Sequence, residues 1–162
     1  MERWVGIEEF PKYSVSDHGR IRQDDFDRLI HPRANQYGGV YVGLQRYGVQ
    51  HVRSLPLIVA HTFIPQGVAT FDTPINLNGD RFDCHVDNIM WRPRAFARKY
   101  NHQFKEPYFR TIEDRVWCIE TGERFPNSFT AACRYGLLDS DVVASIEYMT
   151  YAWPTYQRFE LA

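Results

Sequence analysis

The chain has 162 residues, 44% of them hydrophobic, so it can bury the core of one compact domain or of two or three small modules. No apolar run approaches the roughly 20 residues of a membrane-spanning helix, and the polar segment 1–10 lacks the pattern of a secretion signal. The three cysteines are far apart and include no Cys-x-x-Cys pair, which argues against a disulfide framework and a cysteine zinc site. We expect an intracellular protein that does not associate with membranes.

Positive charge is concentrated in residues 91–110, which carry six Lys or Arg against one Glu, although the net charge of the chain is −1. This overall balance is unusual for a protein that grips duplex DNA, because phosphate neutralisation supplies much of the affinity. The stretch interleaves cations with aromatic side chains, which suits nucleic-acid contact; a solvated linker that offsets acidic neighbours is the alternative. Its cations are Arg92, Arg94, Arg98, Lys99, Lys105 and Arg110, and its aromatic residues are Phe96, Tyr100 and Tyr108.

The N-terminal residues predict short extended segments. Apolar residues recur from Trp4 to Val15, and Asp17–Gly19 forms a turn in which Gly19 is free to adopt a positive φ. Arg20 and Arg22 then alternate with Ile21 on an extended segment.

A hairpin and a helix are predicted next. Residues 39–45 and 49–53 alternate like strands around a turn at 46–48. Ser54 is a suitable N-cap for a helix over 57–63, with Pro56 in its first turn.

Residues 74–100 predict a strand–turn–strand–helix unit. The first strand covers Asp72–Leu77, Asn78-Gly79 forms the turn, and the second arm extends to about Val86. Asp87 or Asn88 caps a short helix that carries Ile89, Met90 and Trp91, and Pro93 begins another helix that ends near Tyr100.

The C-terminal third predicts a hairpin followed by two helices. Strands at 113–118 and around Phe125 flank the turn at 120–123. Ser128 caps a helix that ends at Gly136, and Asp139 or Ser140 caps a second helix that carries Val142, Val143, Ile146 and Met149. Two short helices joined by a glycine-containing turn have helix-turn-helix proportions.

Three segments together resemble the phage- and intron-type HNH homing endonucleases. Residues 4–22 have the pattern W-x-x-I-x-x-F-x-x-Y-x-V-S-x-x-G-R-I-R of the small module that opens many of these enzymes. Residues 57–65 (LIVAHTFIP), 75–81 (INLNGDR) and 87–91 (DNIMW) are similar to the HNH core, and 119–132 to the C-terminal helix-turn-helix module.

The resemblance implies an α+β fold, in which an HNH ββα-type core is flanked by a small N-terminal β-rich module and a C-terminal hairpin plus helix-turn-helix module. The corresponding boundaries are 1–36 for the N-terminal nuclease-associated module, 37–104 for a degenerate HNH core and 105–162 for the helix-turn-helix-like module.

The resemblance also locates the residues of the nuclease centre. In this family a histidine is the general base, the residue before it binds a divalent metal, and a second ligand lies on the following helix. Leu77 stands at the position of the base and Ala97 at that of the second ligand, and neither side chain has a donor atom. Asn76, Asn88 and His85 are remnants: Asn76 retains a ligand oxygen, Asn88 matches a structural asparagine, and His85 replaces the base only in a shifted register.

Candidate DNA contacts are Arg20 and Arg22, which match family positions, and Arg92, Arg94, Arg98 and Lys99. The predicted last helix argues in the opposite direction, because residues 139–149 contain Asp139, Asp141 and Glu147 but no Lys or Arg. A recognition helix normally presents basic or amide side chains to DNA.

We predict a catalytically inactive descendant of an HNH homing endonuclease, repurposed as a protein-binding or structural phage protein, either a virion component or a factor that binds a host protein. It would need no cofactor, would associate with a protein partner or phage assembly, and would be located in the host cytoplasm or the virion. Self-association and binding of double-stranded DNA stay open.

Two alternative functions are an active DNA-nicking enzyme that uses Mg²⁺ or Mn²⁺ and a DNA-binding regulator that does not cut. Metal-dependent cutting would identify the first alternative. Salt-sensitive binding that depends on the arginines of 92–110 would identify the second.

Overall fold

The computed structural model describes residues 1–106 and 110–162. These residues form two compact units, 1–93 and 94–162, and each unit has its own cluster of buried hydrophobic residues. The predicted three-module boundaries stay a prediction. Within the described part of the chain, no helix is both long enough and apolar enough to cross a membrane.

The first sheet of unit 1–93 is antiparallel and contains four strands in chain order. They are β1 (Trp4–Ile7), β2 (Phe10–Ser16), β3 (Ile21–Gln23) and β4 (Arg28–Ile30). The predicted turn between β2 and β3 is confirmed, and Gly19 adopts a φ of +79° there. Because Val15 pairs with Ile21 across this turn, the two apolar side chains share one buried face.

A second sheet and one helix follow. The strands β5 (Arg33–Ala34), β6 (Val40–Arg46) and β7 (Val49–Ser54) form an antiparallel sheet in the order β5-β6-β7, which confirms the predicted hairpin. Helix α1 (Leu55–Phe63) begins directly after β7 with Pro56 in its first turn. Ser54 is its N-cap residue, although the Ser54 side chain makes no capping hydrogen bond.

The next element is a two-stranded antiparallel pair, β8 (Thr73–Asn76) and β9 (Ile89–Arg92), joined by the loop 77–88. The predicted second arm up to Val86 and the helix carrying Ile89 to Trp91 are wrong, because those last residues form β9. Ile89 and Trp91 are buried while Met90 between them is half-buried, which is the alternation of a strand. The loop ends in a 3₁₀ turn at Val86–Asn88.

Unit 94–162 begins with α2 (Arg94–Gln103), so that the order strand, strand, helix predicted for 74–100 is confirmed. Its strands β10 (Val116–Cys118), β11 (Arg124–Phe125) and β12 (Phe159–Leu161) form an antiparallel sheet in the order β11-β10-β12. The predicted hairpin is β10–β11, whereas β12 was not predicted.

Helices α3 (Ser128–Tyr135) and α4 (Asp139–Tyr148) confirm the predicted helix pair, and Gly136 ends α3 with a φ of +63°. Their predicted caps are wrong. Asn127, rather than Ser128, caps α3 through a side-chain oxygen that accepts from the backbone N–H of Thr130. The Ser128 hydroxyl instead donates to the buried carboxylate of Asp139, and Leu138 precedes α4 without a side-chain cap.

Candidate nucleic-acid interface

The loop between β8 and β9 is held by side-chain amides. Nδ2 of Asn88 donates to Oδ1 of Asn78 at 2.9 Å and to the backbone carbonyl of Asp83 at 2.8 Å. Oδ1 of Asn88 accepts from the backbone N–H of Asn78 at 3.0 Å. Asn88 therefore organises the loop from both of its ends, which is a structural role.

Asn76 is buried at the end of β8, and its amide nitrogen donates to the backbone carbonyl of Asp83 at 2.9 Å. Leu77 follows it as a half-buried side chain, and Ala97 is buried on α2. Leu77 and Ala97 offer no ligand atom, so the side-chain oxygen of Asn76 is all that these three positions could supply, and one oxygen does not make a donor set that fits a divalent metal. Among the residues that the structure describes, no three His, Cys, Asp or Glu side chains are placed to hold a metal ion.

His85 lies on the same loop, where its Nδ1 accepts from the backbone N–H of Asp87 at 3.2 Å. Its ring lies against that of His18, with centroids 4.8 Å apart and planes inclined by 34°. His18 belongs to the turn between β2 and β3, so the two histidines join that turn to the loop. His61 is exposed on α1 and contacts the edge of Trp91.

Arg20 and Arg22 lie beside Trp4, with guanidinium carbons 5.7 Å and 4.4 Å from its ring centroid. Arg20 also forms an ion pair with Glu2, and Arg22 with Asp24. The hydrogen bond from Arg20 lowers the pKa of Glu2 to about 2. Because carboxylates offset the charges of Arg20 and Arg22, these two arginines contribute less to any attraction for phosphate.

The predicted basic stretch is divided between the surface and the interior. Arg94, Arg98 and Lys99 are exposed on α2, whereas Phe96 and Tyr100 are buried on the opposite face and cannot stack on bases. Arg92 is buried, its guanidinium donating to the carbonyl of Trp91 at 2.7 Å. Three of the four predicted DNA contacts in this stretch are thus exposed, as are Lys105 and Arg110, whereas the aromatic residues Phe96 and Tyr100 are not available. Tyr108 lies outside the described residues.

The outward face of the β5–β7 sheet was missed by the sequence analysis. In β6, Val40, Val42 and Leu44 are buried, so the alternate residues project outward. Cross-strand pairing places Arg33 beside Tyr41, Gly43 beside Val52 and Gln45 beside Gln50. The outward face, which we call the outer sheet face, consists of Arg33, Tyr41, Gly43, Gln45, Gln50 and Val52.

Two adjoining grooves of about 810 and 410 Å³ lie between the outer sheet face and β4. Strand β4 and its neighbours add the cationic Arg28, and His31 and Gln23, to their walls. No acidic side chain is among the described residues that line either groove, whereas a groove of about 680 Å³ on the same unit contains Glu8 and Glu9. The positive potential over the outer sheet face is therefore not offset from within the grooves.

The two arginines that line these grooves form no ion pairs with the described residues. Within the described ranges, Arg28 and Arg33 have no carboxylate within 4.0 Å. Arg28 donates to the side-chain oxygen of Gln23 at 3.3 Å. A closer inspection of the segment Arg28-Leu29-Ile30-His31-Pro32-Arg33 could have found this cluster, because the basic residues stand on either side of an apolar pair.

Comparison with known proteins defines the fold. Residues 2–45 match the NUMOD4 motif, which is found in HNH homing endonucleases. A solved structure of the HNH homing endonuclease I-HmuI, described for DNA binding and cleavage by that protein, is similar over 99% of this chain and 98% of that chain, with a TM-score of 0.52 and 14% sequence identity. The chain has the fold of an HNH homing endonuclease. No curated protein sequence is similar to it.

The HNH fold confirms the resemblance stated from the sequence, and β8, β9 and α2 follow one another along the chain in the predicted order of strand, strand and helix. The NUMOD4 match ends within β6, so it contains Arg28, Arg33, Tyr41 and Gln45, while Gln50 lies beyond it on β7. The outer sheet face is thus shared by the motif and the strand that follows.

Proposed function

We propose that this chain is a DNA-binding protein that uses an HNH fold to hold duplex DNA without hydrolysing it. The outer sheet face, with its cationic, acid-free grooves, is the observation that carries the proposal. Arg28 and Arg33, which line these grooves without ion pairs, can neutralise phosphates, and the amides and tyrosine of the face can donate to phosphate or base edges. The similar HNH homing endonuclease I-HmuI binds DNA, which supports the proposal that this chain does so too.

Dimensions also favour a duplex over a single strand. Strands β6 and β7 form a two-stranded antiparallel ribbon whose strands are about 4.8 Å apart. The major groove of B-DNA is about 12 Å wide and admits a two-stranded ribbon. Single strands are held chiefly by exposed aromatic rings, and the outer sheet face offers one half-buried tyrosine, Tyr41.

The absence of hydrolysis is inferred from the chemistry of the β8–β9 loop. Water activation needs a general base, and the resemblance places Leu77 at that position. His85, the substitute considered from the sequence, has its Nδ1 occupied by the backbone N–H of Asp87 and its ring against His18. Because Nδ1 of His85 already accepts this hydrogen bond, that nitrogen is not available as a general base.

The proposal is tested by fluorescence anisotropy with a labelled random duplex at low salt. We expect a Kd of roughly micromolar, rising steeply with salt. The double variant Arg28→Ala/Arg33→Ala should lower the slope of log K against log salt by about 1 for each arginine. Arg124→Ala removes an exposed arginine from the other unit and is the matched control. Absence of binding by the wild type would contradict the proposal.

Hydrolysis is tested separately with supercoiled plasmid and Mg²⁺ or Mn²⁺. We expect no nicked product from a preparation that binds DNA. Nicking that is abolished in His85→Ala would instead establish the active-enzyme alternative with His85 as its base. Nicking that persists in His85→Ala would require another base and would also overturn the inactive assignment.

A protein partner is the second candidate, favoured by the exposed apolar side chains of unit 94–162. Tyr148, Met149, Tyr151 and Trp153 are all at least 44% exposed, and Tyr and Trp are enriched at binding hot spots. The neighbouring α4 carries Asp141 and Glu147, so charge complementarity favours a basic partner surface. The test is to purify a protein that this chain captures and to compare its affinity for the wild type with its affinity for Tyr151→Ser. Equal affinities would contradict this candidate, and a phage role stays a prediction.

A further inference from the structure

The side chain of Gln50 differs from the others of the outer sheet face because it lies over a glycine. Gly43 is its neighbour on β6, and a Cβ added at Gly43 would overlap the amide nitrogen of Gln50. The Gln50 side chain therefore lies across the strand where Gly43 leaves the backbone uncovered. Glycine within a strand often marks a site that a ligand or another backbone approaches closely.

The amide of Gln50 is also chemically available. Its side chain is exposed, lines both grooves, and makes no hydrogen bond with any other described residue. Gln45, directly opposite on β6, has an exposed side chain in the smaller groove. A primary amide carries both a donor and an acceptor, whereas the flanking Arg28 and Arg33 carry donors only.

We propose that Gln50, extended over Gly43, recognises an adenine from the major groove of a bound duplex, and that Arg28 and Arg33 set its position through phosphates. A glutamine amide matches adenine because it can accept from the N6 amino group and donate to N7 at the same time. This assignment of a specificity residue rests on the proposed function, since it requires that the outer sheet face binds duplex DNA.

The alternatives on the same face fit adenine less well. Arginine would be expected to favour guanine through O6 and N7, and the three atoms nearest to a Cβ at Gly43 belong to Gln50 rather than to Arg28 or Arg33. Tyr41 and Val52 flank Gly43 but lack a paired donor and acceptor. Gln45 has the same amide but lines only the smaller of these two grooves, so Gln50 is the amide that lies over Gly43 and reaches both grooves.

The test is selection of binding sites from a random-sequence duplex library with the full chain, followed by sequencing. The wild type should select an adenine at one position by roughly ten- to hundredfold. Gln50→Ala should lose that preference while keeping the salt dependence of binding. Gly43→Ala, which displaces the Gln50 amide without removing it, should weaken the same preference.

Gln66→Ala is the matched control, because Gln66 is an exposed glutamine of the same unit that lines neither groove; it should select the wild-type sequence. Circular dichroism confirms that each variant is folded before selection. Identical selected sequences for the wild type and Gln50→Ala would overturn the assignment, as would duplex binding by the wild type without any base preference. Failure of the proposed function gives a different result, namely no retained duplex at all.

Discussion

Asn78 and Asn88 bind each other from opposite ends of the β8–β9 loop through two hydrogen bonds. The Asn88 amide nitrogen donates to the Asn78 side-chain oxygen at 2.9 Å, and the Asn88 side-chain oxygen accepts from the Asn78 backbone at 3.0 Å. The third bond of Asn88, to the carbonyl of Asp83, closes the loop on itself. One half-buried amide thus ties both ends of the twelve-residue loop 77–88 together.

Replacing Asn88 by alanine should lower the free energy of unfolding by about 1–3 kcal/mol, because the backbone N–H of Asn78 loses its partner and the carbonyl of Asp83 keeps only its hydrogen bond from Asn76. Chemical denaturation monitored by circular dichroism measures the change. Asp87→Ala is the control, since the neighbouring Asp87 side chain is 90% exposed. Equal stability of the two variants would show that the amide does not hold the loop.

Gly19 and Gly48 allow backbone strain to be separated from steric overlap. Both have positive φ, +79° and +75°, but a Cβ at Gly19 would lie 2.5 Å from the carbonyl oxygen of Cys84, whereas nothing lies within 4 Å of one at Gly48. We expect Gly48→Ala to cost about 1 kcal/mol from its left-handed backbone alone. Gly19→Ala should cost about 1–3 kcal/mol more through overlap with the loop.

Hydrogen exchange shows whether Gly19→Ala disturbs the contact between the β2–β3 turn and the β8–β9 loop. The backbone N–H of Val86 donates to the carbonyl of Asp17 at 2.8 Å, so its exchange reports whether the turn still contacts the loop. It should accelerate in Gly19→Ala and remain unchanged in Gly48→Ala. Equal unfolding free energies and equal exchange in the two variants would contradict the predicted overlap.

The sequence predicted most elements because periodicity and turn chemistry agreed locally. Gly19 fixed the turn after β2, the alternation of 39–45 fixed β6, and Pro56 marked the start of α1. The prediction is wrong at 87–91, where Asp87 or Asn88 is expected to cap a short helix and the chain instead forms β9. A short polar side chain can cap a helix or bind backbone groups far along the chain, and only the β8–β9 pairing decides between these two roles.

The candidate interface was less predictable than the fold. Arginines in sequence do not show whether carboxylates offset them: Arg20 meets Glu2 across 18 residues, whereas Arg33 meets none among the described side chains. Burial of Phe96 and Tyr100 likewise depends on which face of α2 packs inward. The outer sheet face brings together β5, β6 and β7; the basic residues of 28–33 are visible in the sequence, but Gln50 and Val52 join the face only through the β6–β7 pairing.

Ser128 supports a buried carboxylate in unit 94–162. Its hydroxyl donates to Asp139 at 2.6 Å and accepts from the backbone N–H of Ile112 at 3.0 Å, while Thr111 donates to the other Asp139 oxygen at 2.7 Å. Ser128→Ala should destabilise the protein by about 1–3 kcal/mol, since buried groups lose partners. Ser140→Ala, at a half-buried position on α4, serves as the control for thermal denaturation. A loss no greater than that of the control would contradict this role.

The thiols of Cys84 and Cys133 should react slowly in the native protein. Burial raises the pKa of each to about 11, and the thiolate is the reactive form. Near pH 8.5, where an exposed thiol is about half ionised, we expect alkylation by iodoacetamide to be roughly a hundredfold slower than for a free cysteine. Mass spectrometry locates the label, and denatured protein provides the control. Rapid native labelling of Cys84 would contradict its burial.

Acid stability should depend on Glu2. The hydrogen bond from Arg20 lowers the pKa of Glu2 from 4.5 to about 2 in the folded protein. A depressed folded pKa means that the ion pair stabilises the protein fully above about pH 4.5, and that this contribution is lost as the pH falls toward 2. Glu2→Gln removes the titrating group, so the difference in unfolding free energy between wild type and variant should shrink over this window.

Urea denaturation of both proteins at several pH values between these limits measures that difference. Glu8→Gln is the control, because Glu8 is exposed and has no ion-pair partner among the described residues. The difference in unfolding free energy between wild type and Glu2→Gln cancels the contributions of Glu9, Glu120 and Glu123. The pKa values of these three groups are also lowered by arginine partners or hydrogen bonds. A difference that stays constant from pH 4.5 to 2 would mean that the Glu2–Arg20 pair does not stabilise the fold.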